Sequence, residues 1–535
     1  MTGSKLNESL DDRTLRLIGQ LTKSDREHFA KWAEIPGRIA IVTSNTSMKN
    51  VNARLALAMS INCLARVEPI VTSVDVVIPE DVSYEINAPL FDGHDIKTNI
   101  TSFTNKLRPK VGIRITSHLD DDYDALLSIG NTDIGHSFKI SIASDGWLAY
   151  ASPDSVSEFT DNINPVGAYM AANLGSVEVF KKVFVKKADL INPEKSEYDF
   201  RWNTKQLQRE LVFNTFDYSI DKRNSYNPTI PEIINVEGLV TVGIGAGGGA
   251  CIYTLASFSE IQGNLRLIDH DEVKGSNLNR YIYATRLDAD INKPKVDVMK
   301  EILSIHRKCI VDPKHIPYKK FSEKLQSKPV ELIISTVDNR DTRIDIQWDL
   351  PRIILDAAAA GTLFHINRIE FGNNACLGCR FYQDSSSDSI ETKLSKVIGL
   401  SREVISKLRA NNSPIENSHI NSMKPFSEKY NFPLPNAGEH FQDWFLYHCG
   451  KINVNGKVDV QIPVPFATVM PGILLAGEVV KYRHFKDYDV RDFFSYDVFS
   501  INADPLKTIK KRIDCPICSN QGTIDRYKEK YNIQS

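Results

Sequence analysis

The chain has 535 residues, with 65 Lys and Arg against 67 Asp and Glu. That near-neutral balance gives no electrostatic footprint for nucleic acid or for an anionic membrane surface. The start, Met1 to Glu8, lacks the apolar core of a signal peptide, and the longest apolar run, around Phe466 to Gly477, is too short to span a bilayer. The expected setting is cytoplasmic, in a soluble chain of about two to four domains.

In chain order, Asp12-Arg13-Thr14-Leu15-Arg16-Leu17-Ile18-Gly19 has the spacing of a short amphipathic helix with solvated arginines. Residues 38–43 read as a strand, 52–65 as an amphipathic helix and 67–77 as a second strand pair. The turn after the first strand, Ser44-Asn45-Thr46-Ser47, contains no glycine, so its backbone cannot readily close on a phosphate. Residues 167–181 read as a helix with small residues on one face, and 471–481 echo it late in the chain. The simplest account is a nucleotide fold written twice, with the first copy degenerate.

The second copy is better marked. Gly238 to Val242 reads as a strand, Gly243-Ile244-Gly245-Ala246-Gly247-Gly248 follows it, and residues 250–258 have helix character. Strand, glycine turn and helix form the context that a GxGxxG match requires. In that context Gly243 makes the turn, Gly245 lets backbone approach phosphate, and Gly248 lets the helix pack on the strand. The helix start offers oriented N–H groups to an anion. A strand over 264–268 ends at Asp269, about 20 residues on, where this fold places a carboxylate against a ribose hydroxyl. On the glycines alone, an ordinary dinucleotide-binding dehydrogenase is the favoured reading.

Further on lie Ser276-Asn277-Leu278-Asn279-Arg280, then Asn292-Lys293-Pro294-Lys295-Val296, then Ser335-Thr336-Val337-Asp338-Asn339 after an apolar run. Each alone reads equally as a solvated surface lysine or a strand-end cap. The eight cysteines are too few for a disulfide scaffold, but Cys376-Leu377-Gly378-Cys379 and Cys515-Pro516-Ile517-Cys518 are both CxxC. Two such knuckles supply the four thiolates of a closed tetrahedral Zn²⁺ site. A redox CxxC is the rival, and one redox pair would not explain two. Residues 383–462 hold a polar loop at 384–389, helical stretches at 391–410 and 438–447, and Pro433 and Pro435, which is more than a crossover loop needs. Cys449 is the one cysteine of this insert outside the CxxC pairs, since Cys63, Cys251 and Cys309 lie elsewhere in apolar patterns. The neighbouring His448 favours a thiolate when protonated; a buried structural cysteine is the alternative.

Taken together, Asp269-x-Asp271-x-Val273-x-x-Ser276-Asn277-Leu278-x-Arg280, the Lys295 and Asp338-Asn339 motifs and the paired CxxC knuckles resemble, in order, the ubiquitin-like-protein activating enzymes of the ThiF/MoeB-type adenylyltransferase superfamily. The resemblance implies an α/β fold of two Rossmann-like doubly wound halves. An inactive adenylation domain would span 1–230 and an active one 231–535, with a small helical insertion at 383–462 and a structural zinc site. It implies ATP bound at Gly243, Gly245, Gly248, Asp269, Asn277, Arg280, Lys295 and Asp338, with Mg²⁺ near Asp338 and Zn²⁺ on Cys376, Cys379, Cys515 and Cys518. A ubiquitin-like protein would present its C-terminal carboxylate to the α-phosphate, and Cys449 would then take the acyl group as a thioester for a conjugating enzyme. The family's cysteine–threonine pairing is absent at Cys449, which Gly450 follows.

Residues 12–19 are similar to the Asp-Arg-Gln-Leu-Arg-Leu-Trp-Gly opening of the inactive halves of eukaryotic activating enzymes. This implies that Arg13 reaches the other half's ATP site, and that the chain is a pseudo-dimer able to act as a monomer or homodimer. The end at Ser535, soon after Cys518, implies no C-terminal ubiquitin-fold domain, a content that suits bacterial conjugation operons, antiviral ones included. Three other readings stay open: an adenylate-only enzyme of sulfur-carrier type, a peptide-modifying relative with a peptide clamp in its first 230 residues, and a non-enzymatic scaffold.

Overall fold

Short apolar runs such as Ile39–Val42 and Leu239–Val242 are buried along their whole length, as parallel strands covered on both faces must be. The computed structural model describes residues 31–120, 122–191, 206–221, 226–325, 328–381, 390–410, 413–430, 432–441, 444, 464–485, 492–499 and 502–533. Arg13 and Cys449 lie outside the described residues, as does the polar loop at 384–389.

Strands β1 (Arg38–Val42), β2 (Ser73–Val77), β3 (Gly112–Thr116), β4 (Ala125–Ile129), β5 (Lys139–Asp145), β6 (Leu148–Ser152) and β7 (Leu211–Asn214) form a sheet in the order β3-β2-β1-β4-β5-β6-β7. The pairings from β3 through β5 are parallel, and β6 and β7 add antiparallel strands. A second sheet is built from β8 (Ile233–Asn235), β9 (Leu239–Val242), β10 (Glu260–Asp269), β11 (Cys309–His315), β12 (Leu332–Ser335), β13 (Ile353–Ala360), β14 (Leu363–Glu370), β15 (Phe493–Asp497) and β16 (Asn502–Lys507). Its order is β11-β10-β9-β12-β13-β14-β15-β16, with β8 beside β10. The parallel run again ends at the fifth strand, β13, and β14 to β16 are antiparallel. Removing β8 and β16 leaves the same seven-strand topology twice.

Helices repeat with the strands. Val51–Leu64 follows β1 and Ala246–Leu255 follows β9, while Pro165–Ile191 follows β6 and Pro465–His484 precedes β15. The two long helices are apolar nearly all round because they lie inside, against the shorter helices and against each other. Each carries a buried Glu–Lys pair one turn apart: Glu178 with Lys181 at 2.5 Å, and Glu478 with Lys481. Both lysines then cross to the other half. Lys181 Nζ donates to the Phe499 carbonyl at 3.2 Å, and Lys481 Nζ donates to the Phe216 carbonyl at 2.9 Å. Those two carbonyls sit in matching turns, since the Phe499 N–H donates to Asp497 Oδ1 at 2.9 Å and the Phe216 N–H donates to Asn214 Oδ1 at 2.8 Å. The duplication is thus a packing relationship as well as a sequence echo.

Several elements depart from the sequence expectation: helix Val51–Leu64 is buried all round instead of amphipathic, and residues 438–440 form a turn and a bridge to Pro414 instead of helix. Residues 67–77 give one strand, not two, because β2 begins only at Ser73 after a turn. The helix after β9 starts at Ala246, so Gly247 to Gly249 lie within it. The helical stretch at 391–410 is two helices, Ile390–Ile398 and Arg402–Ala410, interrupted at Gly399, whose φ of +76° no helix accepts. No helix among the described residues is long and apolar enough to cross a membrane.

The chain divides into two compact units, one from 1–381 and 463–535 and one from 382–462. The smaller has its own core, with Leu394, Ile398, Ile405, Met423, Phe441 and Trp444 buried together. The Trp444 indole N–H donates to the Pro433 carbonyl at 3.0 Å, and helix Asn417–Tyr430 accommodates Pro425.

Removing one member of a buried ion pair strands its partner's charge, which costs about 3–5 kcal/mol. Lys481→Ala and Lys181→Ala should each lower stability by roughly that amount in urea denaturation, whereas Glu478→Leu with Lys481→Met should cost much less than Lys481→Ala alone.

Candidate functional site

The C-terminal ends of β10, β9 and β12 lie side by side, with β9 leading to β10 on one side and pairing with β12 on the other. An open α/β sheet leaves its ligand crevice at such a switch point. The chain turns there at Gly243, whose N–H donates to the Ile268 carbonyl at 2.9 Å and whose φ is +86°. A Cβ at Gly243 would also meet Thr336 and Val337 backbone at 3.0 Å, and one at Gly248 would stand 2.0 Å from the Gly243 carbonyl oxygen. Helix and turn are in contact here, which only glycine permits.

The equivalent turn of the first half is closed differently. Thr43 N–H donates to the Val77 carbonyl at 3.1 Å, in the place of Gly243. Ser44 caps the short helix Asn45–Lys49, its hydroxyl accepting from Ser47 N–H at 3.0 Å. In the second half the cap position is Gly245, which provides no side-chain cap. The leading amides of helix Ala246–Leu255 are therefore left to an external acceptor, and the helix dipole favours an anionic one.

Asp269, at the end of β10, ties this turn to its strand: Oδ2 accepts from Ile244 N–H at 2.5 Å and Oδ1 from Asp271 N–H at 2.8 Å. Lys295 opens helix Lys295–Leu303 and is buried, with Nζ 2.7 Å from Asp271 Oδ2 and 3.9 Å from Asp269 Oδ2. Burial pulls its ammonium pKa down, but Tyr281, Asp269 and Asp271 outweigh that and hold it above the ordinary lysine value. Asp271 shows the complement: burial favours its acid form, yet Lys295 carries its carboxyl below the usual range.

Arg280 is the second buried cation. Its guanidinium donates to the Ser276 carbonyl at 3.1 Å and to Asn279 Oδ1 at 2.9 Å, and lies 5.0 Å from the centre of the Tyr281 ring. Burial lowers its pKa, and the field of Asp338 is among those opposing the shift. Asp338 itself is exposed, three residues beyond the end of β12. Asn277 spends its side-chain oxygen locally, accepting from Lys274 N–H at 2.9 Å to shape the turn before Arg280. The fold thus gathers Gly243, Gly245, Gly248, Asp269, Arg280, Lys295 and Asp338 at one sheet edge. Such an edge combines uncapped amides, two buried cations and an exposed carboxylate, groups whose chemistry suits a polyanion and a hard cation.

Sequence reasoning missed several contributors. Tyr281 lies between the two cations, 5.3 Å from Lys295 Nζ, and its hydroxyl is 4.0 Å from where a Cβ on Gly245 would stand. Tyr283 donates to the Ile244 carbonyl at 2.7 Å, its ring pressed so close to Gly249 that a Cβ there would be 2.0 Å away. Their place just after Arg280 was the available signal. Asp356, fully buried on β13, accepts from Ser335 Oγ and Arg343 Nε at 2.9 Å and from Asn367 Nδ2 at 3.1 Å. Nothing in its alanine-rich surroundings announces that network.

The paired CxxC knuckles converge. Cys376 and Cys515 sulfurs are 3.6 Å apart, Cys379 and Cys518 3.3 Å, Cys376 and Cys379 4.0 Å, and all four lie within 4.8 Å of one another. Four thiolates about 2.3 Å from a central Zn²⁺ stand about 3.8 Å apart, so the cluster fits a tetrahedral ion and none of these pairs is at bonding distance. The sulfurs join a core with Ile333, Phe371, Ile517 and Tyr527, the last from the C-terminal helix Gln521–Lys530. Metal analysis of the pure protein should give about one Zn²⁺ per chain. Cys376→Ser should lose it and release the C-terminal helix to limited proteolysis, while substoichiometric zinc in the intact protein would sink the four-thiolate site.

A 519-residue alignment relates the chain at 22% identity to the uncharacterized protein y4jF of Sinorhizobium fredii (strain NBRC 101917 / NGR234), covering 92% of this chain and 91% of the relative. Among solved structures, E. coli MccB with MccA-N7isoASN aligns at 12% identity and TM-score 0.34, over 71% of this chain and 97% of that one. PaaA aligns at 17% identity and TM-score 0.28, over 50% and 71%. The model of the ThiF family matches residues 233–517, which span the glycine turn, both buried cations and three of the four clustered cysteines, and the chain belongs to the ThiF family of adenylyltransferases.

Proposed function

We propose that the chain activates the C-terminal carboxylate of a ubiquitin-like protein with ATP, forming an acyl-adenylate and pyrophosphate, and then takes the acyl group onto Cys449. One observation carries the adenylation step: two buried cations, Arg280 and Lys295, stand beside a glycine turn whose helix has no side-chain cap. A dinucleotide dehydrogenase has little use for that charge. A reaction that expels pyrophosphate does, because preorganised cations in a water-poor site stabilise the charge developing on the leaving phosphates.

In this reading the ribose meets Asp269, which has committed both oxygens to backbone N–H groups and is held rigidly for the purpose. The phosphates lie over Gly243, Gly245 and Gly248, with Asn277 shaping the turn that presents Arg280. Asp338 would hold Mg²⁺, which when bound screens phosphate charge. The attacking carboxylate is already ionised at neutral pH, so no general base is required. The C-terminal carboxylate oxygen bonds to the α-phosphorus as the bond to pyrophosphate breaks. The Cys449 thiolate then bonds to the acyl carbon and AMP leaves.

Burial of the other candidates supports Cys449 as the nucleophile. Burial pushes the Cys63 thiol up to about 12 and the Cys309 thiol up to about 11, and it raises Cys251 further, so none of the three offers a thiolate at neutral pH. Arg13 would act as an additional phosphate ligand from the first half, making the chain a pseudo-dimer with an inactive domain at 1–230 and an active one at 231–535, the latter interrupted by 383–462. A conjugating enzyme would receive the thioester.

The test incubates the protein with ATP, Mg²⁺, labelled pyrophosphate and ubiquitin-like proteins ending in a free carboxylate. Wild type should support exchange and form an adduct cleaved by dithiothreitol. Arg280→Ala should slow exchange by about 10²–10³-fold, the usual loss of one preorganised charge partner, and Asp338→Ala should also impair it. Cys449→Ala should exchange normally and form no reducible adduct. Complete turnover by Cys449→Ala would show an adenylate-only enzyme, and nucleotide binding unchanged by both Arg280→Ala and Asp338→Ala would show a scaffold.

A further inference from the structure

Residues 278–284 of the second half form a strap between a single 3₁₀ turn, Gly275–Asn277, and the short helix Arg286–Asp290. The strap is largely buried and lies outside regular secondary structure, so its carbonyls must find donors other than a helix or sheet ladder. They find them in the first half. Helix Val51–Leu64 runs out at Arg66, whose guanidinium is buried beneath the strap. One terminal nitrogen of Arg66 donates to the Leu278 carbonyl at 2.8 Å, and the other to the Ile282 and Ala284 carbonyls at 3.3 and 3.0 Å. Its Nε donates to Asn62 Oδ1 at 2.8 Å, and Asn62 Nδ2 donates to the Ile282 carbonyl at 2.8 Å.

We propose that Arg66, braced by Asn62, is a positioning residue through which the first half sets the phosphate-facing side of the second half's site. The strap carries Arg280 and Tyr281 toward the glycine turn, and Tyr283 fastens it to the Ile244 carbonyl within that turn. Arg66 therefore grips from behind the segment whose front presents the cation. The geometry needs a planar fork with several donors, which a guanidinium supplies and an ammonium does not. Burial lowers the Arg66 pKa to about 10, so it stays charged at neutral pH. The half with no glycine turn has in this way a use in the site of the other, independent of any residue before position 31. The phosphate part of the inference rests on the adenylation reading; the grip itself does not.

The experiment uses Arg66→Lys, Asn62→Ala, Arg280→Ala and the Arg66→Lys/Arg280→Ala double variant in the full chain, with ATP and adenosine as probes. Hydrogen exchange of amides 278–284 should quicken in Arg66→Lys and in Asn62→Ala. Affinity for ATP should fall about tenfold in Arg66→Lys, the loss expected for hydrogen bonds to a charged group, with adenosine affinity within about twofold of wild type. In the Arg280→Ala background, Arg66→Lys should add less than about twofold, because the two act through one strap. Strap exchange unchanged in both variants would overturn the grip. Equal loss of ATP and adenosine, or the same loss in both backgrounds, would reduce Arg66 to ordinary packing and overturn its link to phosphate. A wild type that binds neither probe while both variants loosen the strap would remove the adenylation reading and uphold the grip.

Discussion

Lys181 and Lys481 are each buried beside a glutamate of their own helix and spend a hydrogen bond on a carbonyl of the opposite half. An ion pair sealed in this way adds little net stability over well-packed apolar residues of similar volume, but it is unforgiving of misplacement. Here its geometry is satisfied only when the two long helices, the end of β7 and the end of β15 are in register across the pseudo-symmetric interface. Other side chains cross the same interface near the sheet edge of the second half. Tyr253, in the helix after the glycine turn, donates to the Pro89 carbonyl at 2.8 Å, and Tyr169 shares a hydrogen bond with Ser257 at 2.7 Å. The strap at 278–284 is held from the same side.

Within that frame the two copies differ by a small change in turn chemistry. Both open with a strand, a tight turn and a helix, and both close the turn with a backbone bond to the neighbouring strand. Ser44 satisfies its own helix start, so the first turn is complete without a ligand. Gly245 cannot, and the close approach of Gly248 to Gly243 leaves room for something other than side chain. Polar backbone groups seek partners, and the absence of one hydroxyl decides whether the partner is internal or external.

The paired CxxC knuckles address a separate problem. The second sheet takes its seventh strand, β15, from beyond the 382–462 unit, and the chain's last helix follows the second CxxC. Four thiolates from 376–379 and 515–518 on one ion would couple that late segment to the core near β12 and β14. Such an ion would add to the anchorage that Ile517, Ile524, Tyr527 and Tyr531 already give by packing on this core.

Much of this was legible in the residues. The glycine spacing, the acidic strand end at Asp269, the order of Arg280, Lys295 and Asp338, and the repeated CxxC each follow from local chemistry with narrow tolerance: only glycine fits a contact at 2.0 Å, and only sulfur-rich knuckles make a four-thiolate site. The echo of residues 167–181 in 471–481 announced a duplication for the same reason, since a helix buried all round leaves its composition in the sequence. What tertiary structure alone decided are relations between residues far apart in the chain. Arg66 looks like a helix-end arginine until its fork is found on the carbonyls of Leu278, Ile282 and Ala284. Asn277 turns its side-chain oxygen to the Lys274 N–H, and the glutamate–lysine pairs of the two long helices are buried. Local sequence fixes which groups seek partners; packing fixes which partners they meet, because a hydrogen bond across the interface exists only once both halves have folded and docked.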